Sequence, residues 1–442
     1  MKKARRDGLY LMLLGSAVFL SLGALLASTS SIEMVDFRVL YYPAKCLLQH
    51  CDPYNENELL RFTAAAQGGR PEDVAQARQV MRYIYLPTAF SFTVPFALLP
   101  WGIAHFLWMA LIAGSLVFAS FLIWSIGADY APILSGILVG FLLANSELLV
   151  ITGNTAGLAI SLCLVAVWCF LRHRFVPAGI LCLAISLVLK PHDSGLVWLF
   201  FLLAGGVHRK RAWQTLLVTV ALSLPAVLWV WHVAPLWMAE LQSNIVEYAA
   251  PGNLNDPGLT SSGAHGLGML VSLQSIFGVI WDNPNFYNPA SYLVCAPLLI
   301  VWAFATLRFR SSRAREWLAL AAIAPLTLLP VYHRQQDTKL LLLTIPACAM
   351  LWAGGGLIGK LALLVNAAGF FFTAELPWSF LLALIRHINV PVTWWAQLTV
   401  IAVQVFPVPL ILLATAIFYL WIYTLRSSSH PPMSHEVQRV PE

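Results

Sequence analysis

The chain opens with a stretch from Leu9 to Ala27 that contains no charged residue, and stretches of similar character recur to its other end. About 20 apolar residues in a helix span roughly 30 Å, the hydrocarbon thickness of a bilayer. In lipid every backbone N–H and C=O must be satisfied within its own segment or in a closed barrel. The apolar runs are continuous rather than alternating with period two, which rules out a barrel. What remains is an all-α, polytopic membrane helical bundle. Apolar residues make up 59% of the 442 and charged residues 10%, with a mean hydropathy of +0.75. At about 20 residues per span that sets a ceiling near 13 crossings, and loops reduce it to about 10 to 12. A large soluble catalytic domain and a disordered chain are excluded with it.

The scarce charge is ordered. The formal net charge is +6, and the basic residues fall in short clusters between apolar runs: Lys2, Lys3, Arg5 and Arg6; Arg172 and Arg174; Arg209, Lys210 and Arg211; Arg308, Arg310, Arg313 and Arg315. Nothing in them resembles a nucleic-acid-binding pattern, and no nucleic-acid partner is expected. By the positive-inside rule they mark the cytoplasmic face of an inner cell membrane. Acidic residues concentrate elsewhere, in Glu33 to Asp73 and in Glu240 to Asp282. This predicts one transmembrane domain over 1–425, a first extracytoplasmic loop at 29–82, a second at 234–289, and a polar cytoplasmic tail at 426–442. Both termini are then cytoplasmic, and the lipid bilayer is the first partner.

Along the chain, Leu9 to Ala27 reads as an uncleaved first span. Helix-like stretches follow at Leu40 to Leu48, Glu56 to Ala66 and Glu72 to Arg82. Tyr85 to Leu99 and Ile103 to Ile126 are expected to cross, with Pro100-Trp101-Gly102 as the turn between them. Charge parity then leaves Ala131 to Leu171 only one net crossing. Phe175 to Val207 is basic at both ends and broken by Lys190-Pro191-His192-Asp193, which suggests a hairpin of two short helices. Trp213 to Val233, Tyr292 to Leu307, Trp317 to Leu329, Lys339 to Leu357, Leu361 to Phe372 and Trp394 to Tyr423 supply further crossings. Gly268 to Ile280 reads as an amphipathic or partly inserted helix. Five of the seven cysteines lie in apolar runs as small hydrophobes. Cys46 and Cys51 share the acidic loop, where they can pair in an oxidising compartment. No zinc spacing, phosphate-binding glycine loop or hydrolase elbow is present, so neither a metal nor a cofactor is expected.

Ionisable residues beside spans are functional candidates by default. Asp36, eight or so residues beyond the first span, reads either as a helix cap or as a general base placed at the bilayer surface. Lys190, His192, His333, Arg334 and Lys339 are the candidate cations for an anionic substrate, although Lys190 with Asp193 and Arg334 with Asp337 also read as structural pairs.

The block Asp36-Phe37-Arg38-Val39-Leu40-Tyr41-Tyr42-Pro43-Ala44, followed by Asp52-Pro53-Tyr54, resembles the polyprenol-phosphate-dependent glycosyltransferases of family 87. So do Tyr83-Ile84-Tyr85-Leu86-Pro87, Thr152-Gly153-Asn154, Ala178-Gly179 with Lys190-Pro191, and Tyr332-His333-Arg334. These short motifs touch most of the chain in order. The sequence departs from the family in carrying Gly153-Asn154-Thr155 for the usual Gly-Gln-Asn, and His192-Asp193 after Lys190-Pro191. The resemblance implies a GT-C membrane fold and inverting transfer of one sugar, mannose before others, from a polyprenyl phosphate to a hydroxyl of an envelope glycan or glycolipid. It implies Asp36 as catalytic base and His333, Arg334 and Lys190 at the donor phosphate. Tyr41, Tyr42, Asn154, His192 and Lys339 are further candidates for substrate binding. The lipid-phosphate sugar would be a co-substrate, no metal or cofactor being called for. The rival reading is a transporter or flippase of lipid-linked sugars.

Overall fold

The computed structural model describes residues 2–29, 34–66, 82–253, 255–258, 270–308, 312–375 and 405–428. Most of the stretch Glu72 to Arg82 and the start of the run from Trp394 lie outside them. Among the described residues the chain is all-α with no strand, as expected. Its helices are α1 (Lys2–Thr29), α2 (Val35–Leu48), α3 (Glu56–Ala66), α4 (Phe90–Ala97), α5 (Trp101–Gly127), α6 (Pro132–Ala144), α7 (Glu147–Thr152), α8 (Thr155–Leu171), α9 (Val176–Leu189), α10 (Pro191–Leu203), α11 (Gly206–Val233), α12 (Trp237–Tyr248), α13 (Leu273–Ile280), α14 (Pro284–Arg308), α15 (Arg313–Thr327), α16 (Ile345–Ala353), α17 (Gly356–Phe372) and α18 (Pro407–Ser428). A 3₁₀ segment, Gln335–Thr344, leads into α16.

Among the described residues, six stretches are long and apolar enough to cross a membrane: α1, α5, α6 with α7, α11, α14 and α18. The apolar helices α8, α9 and α17 are shorter. The bundle turns apolar side chains outward, including Leu217, Leu224, Leu228 and Trp231 on α11 and Leu293, Ile300 and Phe304 on α14. In water such a surface would drive aggregation; in lipid it is the matching solvent.

With no hydrophobic drive between helices in lipid, close packing rests on small residues. Helices α1 and α6 approach through glycines: a Cβ built on Gly15 would stand 2.2 Å from the Gly140 carbonyl oxygen. At one end of the bundle Asp129, in the α5–α6 turn, gathers Arg172 at 2.7 Å, Arg313 at 3.3 Å and Arg5 at 3.7 Å. Three of the basic clusters seen in the sequence therefore meet at one end. Tyr423 of α18 donates to Thr306 near the end of α14, so the last helix finishes on that side too.

The run from Tyr85 to Leu99 does not cross, contrary to expectation. Its first carbonyl, on Tyr85, accepts from Tyr54 at 2.9 Å, and its last, on Leu99, accepts from Tyr41 at 2.8 Å. Both ends are tied to the first loop, on the side away from Asp129. Pro87 opens a 3₁₀ turn, Pro87–Ala89, that leads into α4, and Pro100 stands just past its end, so the helix within the run has only the eight residues of α4. The crossing removed here is restored in 131–171, where α6 with α7 rises and α8 returns. The expected hairpin is present as α9 and α10, with Lys190 at its tip.

The loop segments at the far end are locked together. Arg82 pairs with Glu56 and Glu247, each at 3.1 Å, and Asn244 donates to the carbonyls of Tyr54 and Tyr83. Cys46 and Cys51 are joined in a disulfide at the end of α2.

Candidate active site

Asp36 is not the cap of its helix. Met34, in the left-handed region, holds the N-cap position, and Asp36 sits in the first turn of α2. The entry of α2 is set by its partner: the Met34 N–H donates to the Ile151 carbonyl at 2.7 Å, and Phe37 stacks on Trp108 with ring centroids 4.7 Å apart. Trp108 in turn donates to the Gly153 carbonyl at 2.8 Å. Gly153 has φ +67°, and a Cβ there would press on Phe37 and Met34, so only glycine allows α2 to lie on this elbow.

The residue after the elbow, Asn154, caps α8. Its Oδ1 accepts from the Ala156 N–H at 2.8 Å, which turns the amide nitrogen outward to donate to Asp36 Oδ2 at 2.8 Å. A carboxylate is thus held by a side chain that is itself held. The charge of Asp36 reaches Tyr85, Tyr248, Tyr332 and Arg334. Burial first, and Asp36 second, push the phenols of Tyr85 and Tyr248 above their ordinary range, so both stay neutral donors beside it. All of these groups are half-buried.

A deeper layer carries the other candidate charges, with Lys190, Asp193, His333 and Asp337 buried and His192 exposed at its edge. Lys190 bonds to Asp337 and lies 3.4 Å from Asp193. His333 Nε2 stands 3.4 Å from Asp193 Oδ1, and His192 Nε2 stands 3.7 Å from the same oxygen. Asp337 also accepts from the Arg334 backbone N–H at 2.7 Å, closing the turn that starts the 3₁₀ segment. The Arg334 guanidinium donates to Asn255 at 2.9 Å. The second loop therefore reaches the site, and residues 270–273 reinforce it: Val271 donates to the His333 carbonyl and Leu273 to that of Leu329.

The structure thus brings together Asp36, Asn154 and Arg334 on one layer and Lys190, His192 and His333 on the next. Tyr41 and Tyr42 turn instead toward an aromatic stack with Trp101, and the Tyr41 hydroxyl is engaged by Leu99. Lys339 is engaged elsewhere, 2.9 Å from Glu375 and bonded to the Asn145 carbonyl below α7. Sequence reasoning did not find Asn255, Tyr248 or Glu375. The structural pair of Lys190 with Asp193 is present at 3.4 Å, but Lys190 also bonds to Asp337, which Arg334 meets through its backbone N–H. The polar breaks at 190–193 and 332–337 were the visible signal; their mutual contact was not.

The sequence pattern of glycosyltransferase family 87 matches residues 83–331, more than half of the chain, taking in Asn154, Lys190, His192 and Asp193 and stopping just short of His333. No curated protein matches the chain, and no solved structure does. With its apolar helices and its polar site at the bundle end opposite the arginine knot, the chain belongs to glycosyltransferase family 87 as a membrane-embedded glycosyltransferase.

Proposed function

We propose that the protein is a GT-C-type enzyme that transfers one mannose from a polyprenyl phosphate to a hydroxyl of an envelope glycan or glycolipid, with inversion, on the extracytoplasmic face of the inner membrane. The observation that carries this reading is the Asp36 carboxylate, fixed by Asn154 and facing the cation-bearing break at 332–337. Asp36 takes the proton of the acceptor hydroxyl as that oxygen bonds to the anomeric carbon. The bond from that carbon to the phosphate oxygen breaks on the opposite face, and polyprenyl phosphate leaves. Single displacement needs one base and no protein nucleophile. Arg334, Lys190 and His333 supply the positive side, where the phosphate gains charge as it leaves.

Two features support the orientation. Arginines cluster around Asp129 at the end remote from Asp36, as the positive-inside rule asks of a cytoplasmic face. The Cys46–Cys51 bridge lies at the Asp36 end, and disulfides persist in oxidising compartments. An active site there has lipid-linked sugars rather than nucleotide sugars as donors.

The test is reconstitution of the full chain in proteoliposomes with polyprenyl phospho-mannose and membrane glycolipid acceptors. Transfer by the wild type and its loss in Asp36→Asn is the expected result. Full transfer by Asp36→Asn would sink the mechanism, and lipid translocation without transfer would replace it with the carrier reading.

A further inference from the structure

We infer that His192, Asp193 and His333 form a binding site for one divalent transition-metal ion, with zinc as the best-fitting case. The three ligand atoms lie within 4.8 Å of one another. Two ligands at 2.0–2.2 Å from a tetrahedral zinc stand about 3.4 Å apart. Both histidines meet that spacing against the same oxygen, Asp193 Oδ1, at 3.4 Å for His333 Nε2 and 3.7 Å for His192 Nε2. Three protein ligands with the remaining position open is the pattern of catalytic rather than structural zinc.

The second observation is the state of the buried atoms. His333 Nδ1 lies 3.0 Å from the Val331 carbonyl, which can only accept, so the hydrogen sits on Nδ1. A backbone carbonyl on the far nitrogen is the usual support of a metal-ligating histidine. In the neutral ring Nε2 then presents a bare lone pair to Asp193 Oδ1. Among the described residues Asp193 Oδ2 faces the Lys190 ammonium at 3.4 Å, while neither His333 Nε2 nor Asp193 Oδ1 has a well-formed hydrogen bond, although both side chains are almost wholly buried. Two facing lone pairs in such a place call for a positive centre between them. A proton bridges two atoms. Here a third donor, His192, converges on the same oxygen from the exposed mouth of the site, which suits a metal ion and gives it a way in. Two imidazoles favour zinc over magnesium.

The charge of the layer gives the ion a task, and this part rests on the proposed donor. Lys190 and Arg334 are offset in part by Asp193 and Asp337, so the cations proposed at the donor phosphate leave room for more positive charge. A divalent ion supplies it.

The test uses the full-length, tag-free protein in nanodiscs, stripped of metal and titrated with Zn²⁺ and separately with Mg²⁺, bound metal being counted by mass spectrometry. One zinc per chain is expected, magnesium not displacing it, with affinity falling at least about 10-fold in His192→Ala. His192 is exposed, so that variant keeps its fold, and His333→Gln checks the buried side. Zinc bound with equal affinity by wild type and His192→Ala, or no stoichiometric zinc in the wild type, would overturn the site. These readouts need no donor: zinc binding alongside full transfer by Asp36→Asn would keep the site and discard the mechanism, and the opposite pair would do the reverse.

Discussion

Asn154 donates to Asp36 at 2.8 Å across 118 residues of sequence, and the same amide caps α8. The bond joins the first loop to the bundle and points the carboxylate without neutralising it. Asp36→Asn should lower turnover by about 10² to 10⁴, the usual contribution of a general base. Asn154→Ala should cost less, about 10- to 100-fold, the value of one hydrogen bond to a charged group. Steady-state transfer rates decide this, and equal losses in the two variants would mean that Asn154 does more than position.

Lys190 joins Asp193 and Asp337 inside the bundle. Removing it leaves two buried carboxylates without their cation, so Lys190→Met should destabilise the fold by about 3 to 5 kcal/mol. Adding Asp337→Asn should return part of that stability but not the affinity for donor. Thermal unfolding in detergent reads the first effect and the KM for lipid-linked sugar the second. Recovery of both would remove Lys190 from donor binding.

The α1–α6 contact leaves no room for a side chain at Gly15, where a Cβ would lie 2.2 Å from a backbone oxygen. Gly15→Val forces the helices apart and should cost about 1 to 3 kcal/mol by overpacking. Gly114, whose Cβ meets nothing within 4 Å, is the control: Gly114→Ala should leave the unfolding temperature unchanged or slightly raised. Similar shifts at both glycines would contradict the packing described.

Orientation is open to chemical labelling. Asn57 on α3 and Arg174 beside the Asp129 end are both exposed. Asn57→Cys should react with a membrane-impermeant maleimide in intact spheroplasts, and Arg174→Cys only after permeabilisation. The reversed pattern would place the site in the cytoplasm and exclude an extracytoplasmic donor.

Much of this was legible in the sequence because the bilayer imposes local rules. An uncharged run of sufficient length must be a helix, and a basic cluster cannot sit in hydrocarbon, so fold class and the two faces follow from neighbouring residues alone. Asp36, Lys190 and the 332–337 break stood out for the same reason, as rare charges beside apolar runs.

Tertiary structure decided which of these meet. Tyr85 to Leu99 has the composition of a span, and only the hydrogen bonds from Tyr54 and Tyr41 hold both its ends on one side. Lys190 and Asp337 are 147 residues apart, and His192 and His333 come into ring contact through two separate breaks. Such pairings depend on how each helix is rotated and on the depth at which it breaks. Those are set by packing, such as the glycine contact of α1 with α6 and the seat of Phe37 on Trp108, and no local pattern encodes them.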